Sequence, residues 1–155
     1  MNEKLVEALK DHPFFEQPFP KTTGPELFNL NYLQNAQQKS GTESLANEDV
    51  LTTLNSFSAD TITNAIKKCI KGKENFNFYV SGGGMHNPLL MENISKQLAG
   101  TVFRSTKELN INPDAKEAVL FAVLANEALC GSAVNFGEGR SGIPNVSMGK
   151  ICFPG

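Results

Sequence analysis

Three consecutive glycines are the first residues of this chain whose type and position could serve chemistry. Gly82, Gly83 and Gly84 follow Phe76 to Val80, a run of aromatic and β-branched residues that predicts a short strand. A glycine run at a strand end can cradle a phosphate with its backbone N–H groups, or let a flat base lie against the bare backbone. It fits neither the Walker pattern nor G-x-G-x-x-G. The run predicts either a ligand platform or a tight turn without a ligand, and both stay open.

Glu117 is the second candidate. A helix is predicted from 112 to about 130, opened by an Asn-Pro pair and followed by a glycine. At about 100° per residue, the face of this helix that carries Glu117 also carries Leu120, Phe121 and Leu124. A carboxylate there is costly unless it meets a donor or opens into a cleft, and it lies beyond the first turn of the predicted helix. It is therefore either a ligand contact or a paired glutamate at the edge of the core.

The remaining reactive side chains give weak signals. His12 and His86 have no Cys, Asp or Glu at metal-ligand spacing, and no Ser-His-Asp set is present, so no metal site is predicted. Cys69, Cys130 and Cys152 are odd in number and far apart. They fit reduced, mostly packing residues of a cytoplasmic protein better than a disulfide frame or a zinc site.

A loop at 12–26 is dense in proline and phenylalanine. Three phenylalanines within six residues favour packing onto the body of the protein over solvation. Lys21 and its neighbouring threonines either face a ligand at a cleft rim or belong to a proline-stiffened packing loop. The second interpretation is favoured.

Helices and strands alternate around the candidate residues. Asn87 and Pro88 are a helix N-cap and first position, which predicts a helix through 98. Other helices are predicted at 3–10, 47–55 and 58–70, a second strand at 101–104, a polar linker at 34–45 and a last short strand at 146–153. The helix at 112–130 is apolar on every side from 118 to 125, which predicts burial between layers.

Composition limits the classes of protein. The 155 residues, 40% hydrophobic and 19% charged, fit one globular domain or a fragment of a larger protein and exclude wholesale disorder. A net charge of −2 without a basic block argues against a nucleic-acid partner. The lysines at 67, 68 and 71 are explained by a solvated, dipole-matched helix end. Nothing approaches eighteen consecutive apolar residues, so no membrane partner is expected.

Several segments resemble one known family. The run that starts Val80-Ser-Gly-Gly-Gly-Met-His-Asn-Pro resembles the adenosine-side motif of bacterial anhydro-N-acetylmuramic acid kinases, and the run that starts Pro113-Asp-Ala-Lys-Glu is similar to the family's long helix. Other family segments are similar to His12-Pro-Phe-Phe, Pro20-Lys-Thr-Thr-Gly and Met148-Gly-Lys-Ile. The matches occur in family order along nearly the whole chain, and together they are specific.

The resemblance implies an actin/hexokinase-like ATPase, in which two RNase-H-like lobes flank a nucleotide cleft. Residues 1–155 would form a single C-terminal lobe of α/β class, a mixed sheet flanked by helices. Residues 1–75 would be a helical, loop-rich entry segment, and 76–155 the strand–glycine–helix nucleotide core. The implied activity is ATP-dependent phosphorylation of 1,6-anhydro-N-acetylmuramic acid with hydrolytic opening of the anhydro ring, a cytoplasmic step of peptidoglycan recycling and amino-sugar metabolism.

The same resemblance implies roles for individual residues. The residues at the adenosine of ATP would be Gly82, Gly83, Gly84 and Asn87. Glu117 would contact the sugar. The phosphate loop, the general-base aspartate and most of the Mg²⁺ site would lie in an N-terminal lobe upstream of Met1. No catalytic residue or metal ligand is then expected in this chain, which alone should not turn over.

Two points of this interpretation stay open. Pro25 stands where the family pattern predicts an arginine, so the role of that arginine is not carried over. The alternative to a kinase lobe is a stand-alone nucleotide- or sugar-binding module without catalysis. A homodimer is a possible assembly.

Overall fold

The computed structural model describes residues 1–71, 76–131 and 151–152. Its helices are α1 (Glu3–Lys10), α2 (Leu30–Ser40), α3 (Asn47–Ile70), α4 (Pro88–Gln97) and α5 (Lys116–Cys130). The strands β1 (Phe78–Val80) and β2 (Phe103–Ser105) pair in a small parallel sheet. Short 3₁₀ turns span Pro13–Glu16, Gly83–His86 and Thr106–Leu109. Helices around a small sheet agree with the predicted α/β class. The predicted strand at 146–153 lies almost wholly outside the described residues.

The chain divides into two compact units. The first holds residues 1–78 and 84–103, and the second holds 79–83 and the described part of 104–155. In the first unit, α1, α2 and α3 share a core that buries Leu5, Leu9, Ala36 and Phe57. Each large apolar side chain fully buried there contributes about 1.5–3 kcal/mol. The amphipathic pattern of residues 3–10 therefore produces the predicted helix and its packing.

A second cluster in the first unit joins α3 to α4. Ala59 of α3 packs with Ile94 and Leu98, and all three are buried. Polar groups at the edge of this cluster are satisfied. The hydroxyl of the fully buried Thr63 donates to Gln97 Oε1 at 2.6 Å, and Gln97 Nε2 donates to Asp60 at 2.7 Å. Buried polar atoms with partners cost little, so this network fixes the position of α4 on α3.

Two sequence predictions about helices are wrong. Separate helices were expected at 47–55 and 58–70, but α3 is continuous. Ser58, the expected N-cap, lies inside α3 and donates its hydroxyl to the carbonyl of Leu54 at 2.9 Å, which satisfies the side chain without a helix break. The expected linker at 34–45 is mostly α2, which ends at Gly41 with φ +64°.

The expected burial of α5 is also wrong. No residue of this helix is buried, and Phe121 and Leu129 are 68% and 72% exposed. The helix does end before Gly131 as predicted. Within the described ranges, no helix is long and apolar enough to cross a membrane.

Tyr32 gives the first unit a pH-dependent stability. Burial raises the pKa of Tyr32 to about 12, and its hydroxyl donates to the carbonyl of Leu9. The unfolded chain ionises a tyrosine near pH 10, so the stability from neutral Tyr32 is present below about pH 10 and is lost as the pH rises towards about 12. Tyr32→Phe should lower the free energy of unfolding by about 1 kcal/mol near pH 7. That deficit should shrink between about pH 10 and 12.

Urea unfolding of both proteins across this pH range measures the difference. Tyr79→Phe is the matched control, because Tyr79 is the other tyrosine of the chain and is 39% exposed. A Tyr32→Phe deficit that stays constant up to about pH 12 would contradict the assignment.

Candidate functional site

The glycine run leaves β1 through a residue with left-handed backbone conformation. Gly82 has φ +85°, and its N–H donates to the carbonyl of Pro113 at 3.0 Å. Such a φ is readily adopted only by glycine. Gly83 then opens the 3₁₀ turn that ends at His86. The conformation and hydrogen bond of Gly82 are explained by its place in the turn. At Gly83, by contrast, an added Cβ would meet no atom within 4 Å.

Asn87 joins the end of this turn to α4. Its Oδ1 accepts from the N–H of Leu90 at 3.1 Å, the N-cap bond that the sequence predicts. The same oxygen accepts from Asn55 Nδ2 at 3.3 Å, and Asn55 Oδ1 accepts from Asn93 Nδ2 at 3.1 Å. The structure thus connects three amides from α3 and α4. Sequence analysis missed Asn55 and Asn93, because only the three-dimensional packing of α4 on α3 brings them to Asn87.

A cleft of about 470 Å³ opens beside this amide chain. Leu51, Asn55 and Ser58 of α3 line one wall, and Asn87 and Leu90 line the other. Small-molecule sites are commonly concave, mostly apolar and supplied with a few polar groups that orient the ligand. The Nδ2 of Asn87 has no hydrogen-bond partner among the described residues. The cleft therefore offers a donor at the edge of an apolar wall.

Glu117 lies in the first turn of α5 and is exposed. Because no residue of α5 is buried, the argument that placed Glu117 on a buried face is wrong, and because α5 begins at Lys116, Glu117 does not lie beyond the first turn. A carboxylate in a first helical turn is stabilised by the helix dipole, which explains it without a ligand. Its exposed position also leaves both oxygens open to a partner from solvent.

Lys21 packs within its own loop. Its Nζ donates to the carbonyls of Phe14 and Phe15 at 2.7 and 3.1 Å, and lies 4.6 Å from the ring centroid of Phe14. The side chain of Thr23 donates to Glu26 Oε1 at 3.2 Å. These bonds are internal to the loop, so they support the packing interpretation of Lys21 and Thr23.

The other candidates form no reactive group in the described residues. His12 uses Nδ1 to accept from the N–H of Phe14 at 3.1 Å, as the N-cap of a short turn. Across the described ranges, no three His, Cys, Asp or Glu side chains lie close enough to hold a metal ion. The cysteines form no disulfide, but Cys69, Cys130 and Cys152 are exposed, so their expected packing role is wrong.

Comparison with known proteins decides which family this arrangement belongs to. The model of the family described as anhydro-N-acetylmuramic acid kinase matches residues 1–154. The chain belongs to the anhydro-N-acetylmuramic acid kinase family. The resemblance seen in the glycine run and in the segments around it is thereby confirmed.

Relatives from several bacteria carry the same name over a longer chain. An anhydro-N-acetylmuramic acid kinase from Pseudoalteromonas atlantica is 58% identical over 97% of this chain, and one from Pseudoalteromonas translucida is 47% identical over 99%. One from Caldanaerobacter subterraneus is 35% identical over 96% of this chain. In all three, the matched region is 38% of the relative's length. The chain therefore spans well under half of the kinases it resembles.

The first two glycines of the run should differ in their tolerance of a side chain. Gly82→Ala places a Cβ on a backbone with φ +85°, whereas Gly83→Ala adds one in open space at an ordinary φ. We expect Gly82→Ala to lower the free energy of unfolding by about 1–2 kcal/mol, and Gly83→Ala to change it by less than about 0.5 kcal/mol. Chemical denaturation measures both. Equal losses would mean that the positive φ of Gly82 is not required by the fold.

Proposed function

We propose that this chain is the C-terminal, nucleotide- and sugar-binding part of an ATP-dependent anhydro-N-acetylmuramic acid kinase. Membership of the family over residues 1–154 carries the proposal. The reaction transfers a phosphoryl group to 1,6-anhydro-N-acetylmuramic acid while water opens the anhydro ring. The product, N-acetylmuramic acid 6-phosphate, would feed peptidoglycan recycling and amino-sugar metabolism in the cytoplasm.

The proposed fold is the C-terminal RNase-H-like lobe of an actin/hexokinase-like ATPase, with residues 1–155 in one lobe. The order β1, α4, β2 in a parallel pair supports this, because a strand–helix–strand crossover is the repeating unit of such α/β lobes. Two strands alone make a marginal sheet.

The nucleotide-binding residues are proposed to be Gly82, Gly83, Gly84 and Asn87, at the adenosine of ATP. Two features support adenosine over phosphate. The N–H of Gly82 already donates to Pro113, which removes one donor from any phosphate cradle. The cleft at Asn87 has apolar walls and amide groups, which suit a flat base with polar edges better than a polyphosphate.

Glu117 is proposed to bind the sugar. The family resemblance is the basis of this assignment, since the burial argument for Glu117 fails. Its exposure at the start of α5 is compatible with the role, because an open carboxylate can accept hydrogen bonds from sugar hydroxyls. Hydrogen bonds to charged groups are worth about 1.5–3 kcal/mol.

The catalytic aspartate, the phosphate loop and most of the Mg²⁺ site are proposed to lie in the polypeptide that the relatives carry outside the matched region. Phosphoryl transfer requires both reactants and Mg²⁺ to be held in position. The groups in this chain would supply only part of that positioning, which is not enough for turnover. On this proposal, residues 1–155 alone bind ligands without catalysing the reaction.

The exposed apolar side chains of α5 support the existence of that missing partner. The five large exposed side chains of this helix are Val119, Leu120, Phe121, Val123 and Leu129. A contiguous apolar helix is unusual on the surface of a soluble monomer and marks an interaction surface. We propose that the N-terminal lobe of the full-length kinase covers α5.

The first functional test uses a full-length protein that contains these residues. We expect ATP-dependent phosphorylation of 1,6-anhydro-N-acetylmuramic acid. A coupled assay of ADP release measures this activity. Gly83→Val should raise the KM for ATP by about 10-fold or more, because its branched side chain would occupy the space proposed for adenosine. Gly83→Ala, which adds one carbon in open space, is the control for folding. Unchanged KM for ATP in Gly83→Val would remove the adenosine assignment, and no turnover of the anhydro-sugar would remove the substrate assignment.

The sugar assignment is tested in the same full-length protein by Glu117→Gln, which keeps the shape and removes the charge. Loss of a charged hydrogen bond should lower kcat/KM for the anhydro-sugar about 10- to 100-fold, with the KM for ATP unchanged. Glu127→Gln, the same change in the last turns of α5, is the matched control. Normal sugar kinetics in Glu117→Gln would mean that Glu117 does not bind the sugar and only stabilises the N-terminus of α5.

A further inference from the structure

A second pocket of about 660 Å³ lies in the first unit, on the C-terminal half of α3. One wall is the α3 face that includes Thr61, Asn64 and Ala65, and the opposite wall is the loop that contains Phe14 and Phe19. The cleft at Asn87 uses residues 51–58 of the same helix instead. The two sites therefore occupy different halves of α3, and the proposed nucleotide site does not account for this pocket.

The charge of this pocket is opposite to that of the chain. Five lysines line it, Lys10, Lys21, Lys67, Lys68 and Lys71, against a single lining carboxylate, that of Glu16. Lys10 is paired with Asp60. Lys67, Lys68 and Lys71 have no ion-pair partner among the described residues. The whole chain has 14 Lys and Arg residues and a net charge of −2, so cations are concentrated at this pocket.

The apolar wall is held by one of these lysines. Lys21 Nζ is bonded to two loop carbonyls and lies 4.6, 5.9 and 5.4 Å from the ring centroids of Phe14, Phe15 and Phe19. The ammonium group thus lies within cation–π distance of all three rings and favours their present arrangement. Phe19 remains 45% exposed, which leaves part of an aromatic surface open at the pocket.

A solvated helix end explains part of this arrangement. Lys67 and Lys68 stand in the last turn of α3, where cations complement the helix dipole. The helix dipole does not explain the aromatic wall on the facing loop or the additional cation there, Lys21. A cleft lined by one sign of charge concentrates ligands of the other sign.

We propose that this pocket binds a small anion attached to a flat apolar ring, of the aryl phosphate type. Lys67, Lys68 and Lys71 bind the anionic group, which lysine does as a point charge with three donors. The exposed part of Phe19 packs against the ring of the ligand. The ligand of this pocket differs chemically from the anhydro-sugar, and the pocket is separate from the cleft at Asn87.

The test titrates the full 155-residue chain with 1-naphthyl phosphate by calorimetry, with inorganic phosphate and 1-naphthol as partial probes. We expect binding in the micromolar to millimolar range that weakens as salt increases, and weaker binding of each partial probe. The triple variant Lys67→Gln/Lys68→Gln/Lys71→Gln should weaken 1-naphthyl phosphate about 10-fold or more. Lys4→Gln/Lys107→Gln/Lys116→Gln, with the same net charge, should keep the affinity. Circular dichroism melts verify that each variant is folded.

Two further variants identify the site and stay informative if the triple variant does not fold. Phe19→Ala should weaken 1-naphthyl phosphate about 10-fold and leave inorganic phosphate unchanged. Gly83→Val should leave both unchanged, because it lies at the proposed adenosine position. Equal losses in the two triple variants would mean non-specific charge attraction and overturn the proposal. Loss of binding in Gly83→Val, or no binding at millimolar ligand, would overturn it as well.

Discussion

The position of α3 is the constraint on which the first unit depends, and two fully buried threonines set it. Thr53 Oγ1 accepts from the N–H of Asn2 at 2.9 Å and donates to the carbonyl of Asp49 at 2.6 Å. Thr63 bonds to Gln97 of the α4 helix at 2.6 Å. Ten residues of helix separate the two hydroxyls by about 15 Å. An unsatisfied buried hydroxyl costs about 1–3 kcal/mol, so each bond ties a different helix to α3 in a fixed register.

That register determines the two binding surfaces proposed for the first unit. With α4 fixed by Thr63, Asn93 and Asn87 lie where Asn55 of α3 bonds to both. With α1 fixed by Thr53, Lys10 reaches Asp60 of α3. Both surfaces thus share one rigid helix, although they take residues from different halves of it. A change at either buried threonine is therefore expected to disturb a surface that the threonine itself does not contact.

Local sequence signals correctly predict the helix caps and helix ends that depend only on residues close together in the chain. The Asn87-Pro88 cap, the end of α5 before Gly131 and the helix at 3–10 all follow from such signals. The continuity of α3 does not, because Ser58 is a good cap in isolation and its internal bond to Leu54 is not written in a motif. Asn55 is 32 residues from Asn87 and 38 residues from Asn93, and sequence spacing alone cannot predict that these three side chains meet. The family, by contrast, could be recognised from the sequence because the glycine run and several other segments occur in order.

The misprediction of α5 has a different cause, and it is informative about the whole protein. An all-round apolar pattern predicts that a helix is buried, but it does not predict which polypeptide covers the helix. In the described residues Phe121 and Leu129 stay mostly exposed. Burying a large apolar side chain is worth about 1.5–3 kcal/mol, so five such residues left in water give a strong drive towards association. The matched relatives are more than twice as long as this chain, and our proposal that the N-terminal lobe covers α5 accounts for both the apolar pattern and the exposure. The all-round apolar pattern of α5 therefore predicted the composition of the helix correctly, but the burial inferred from it is wrong for the described residues.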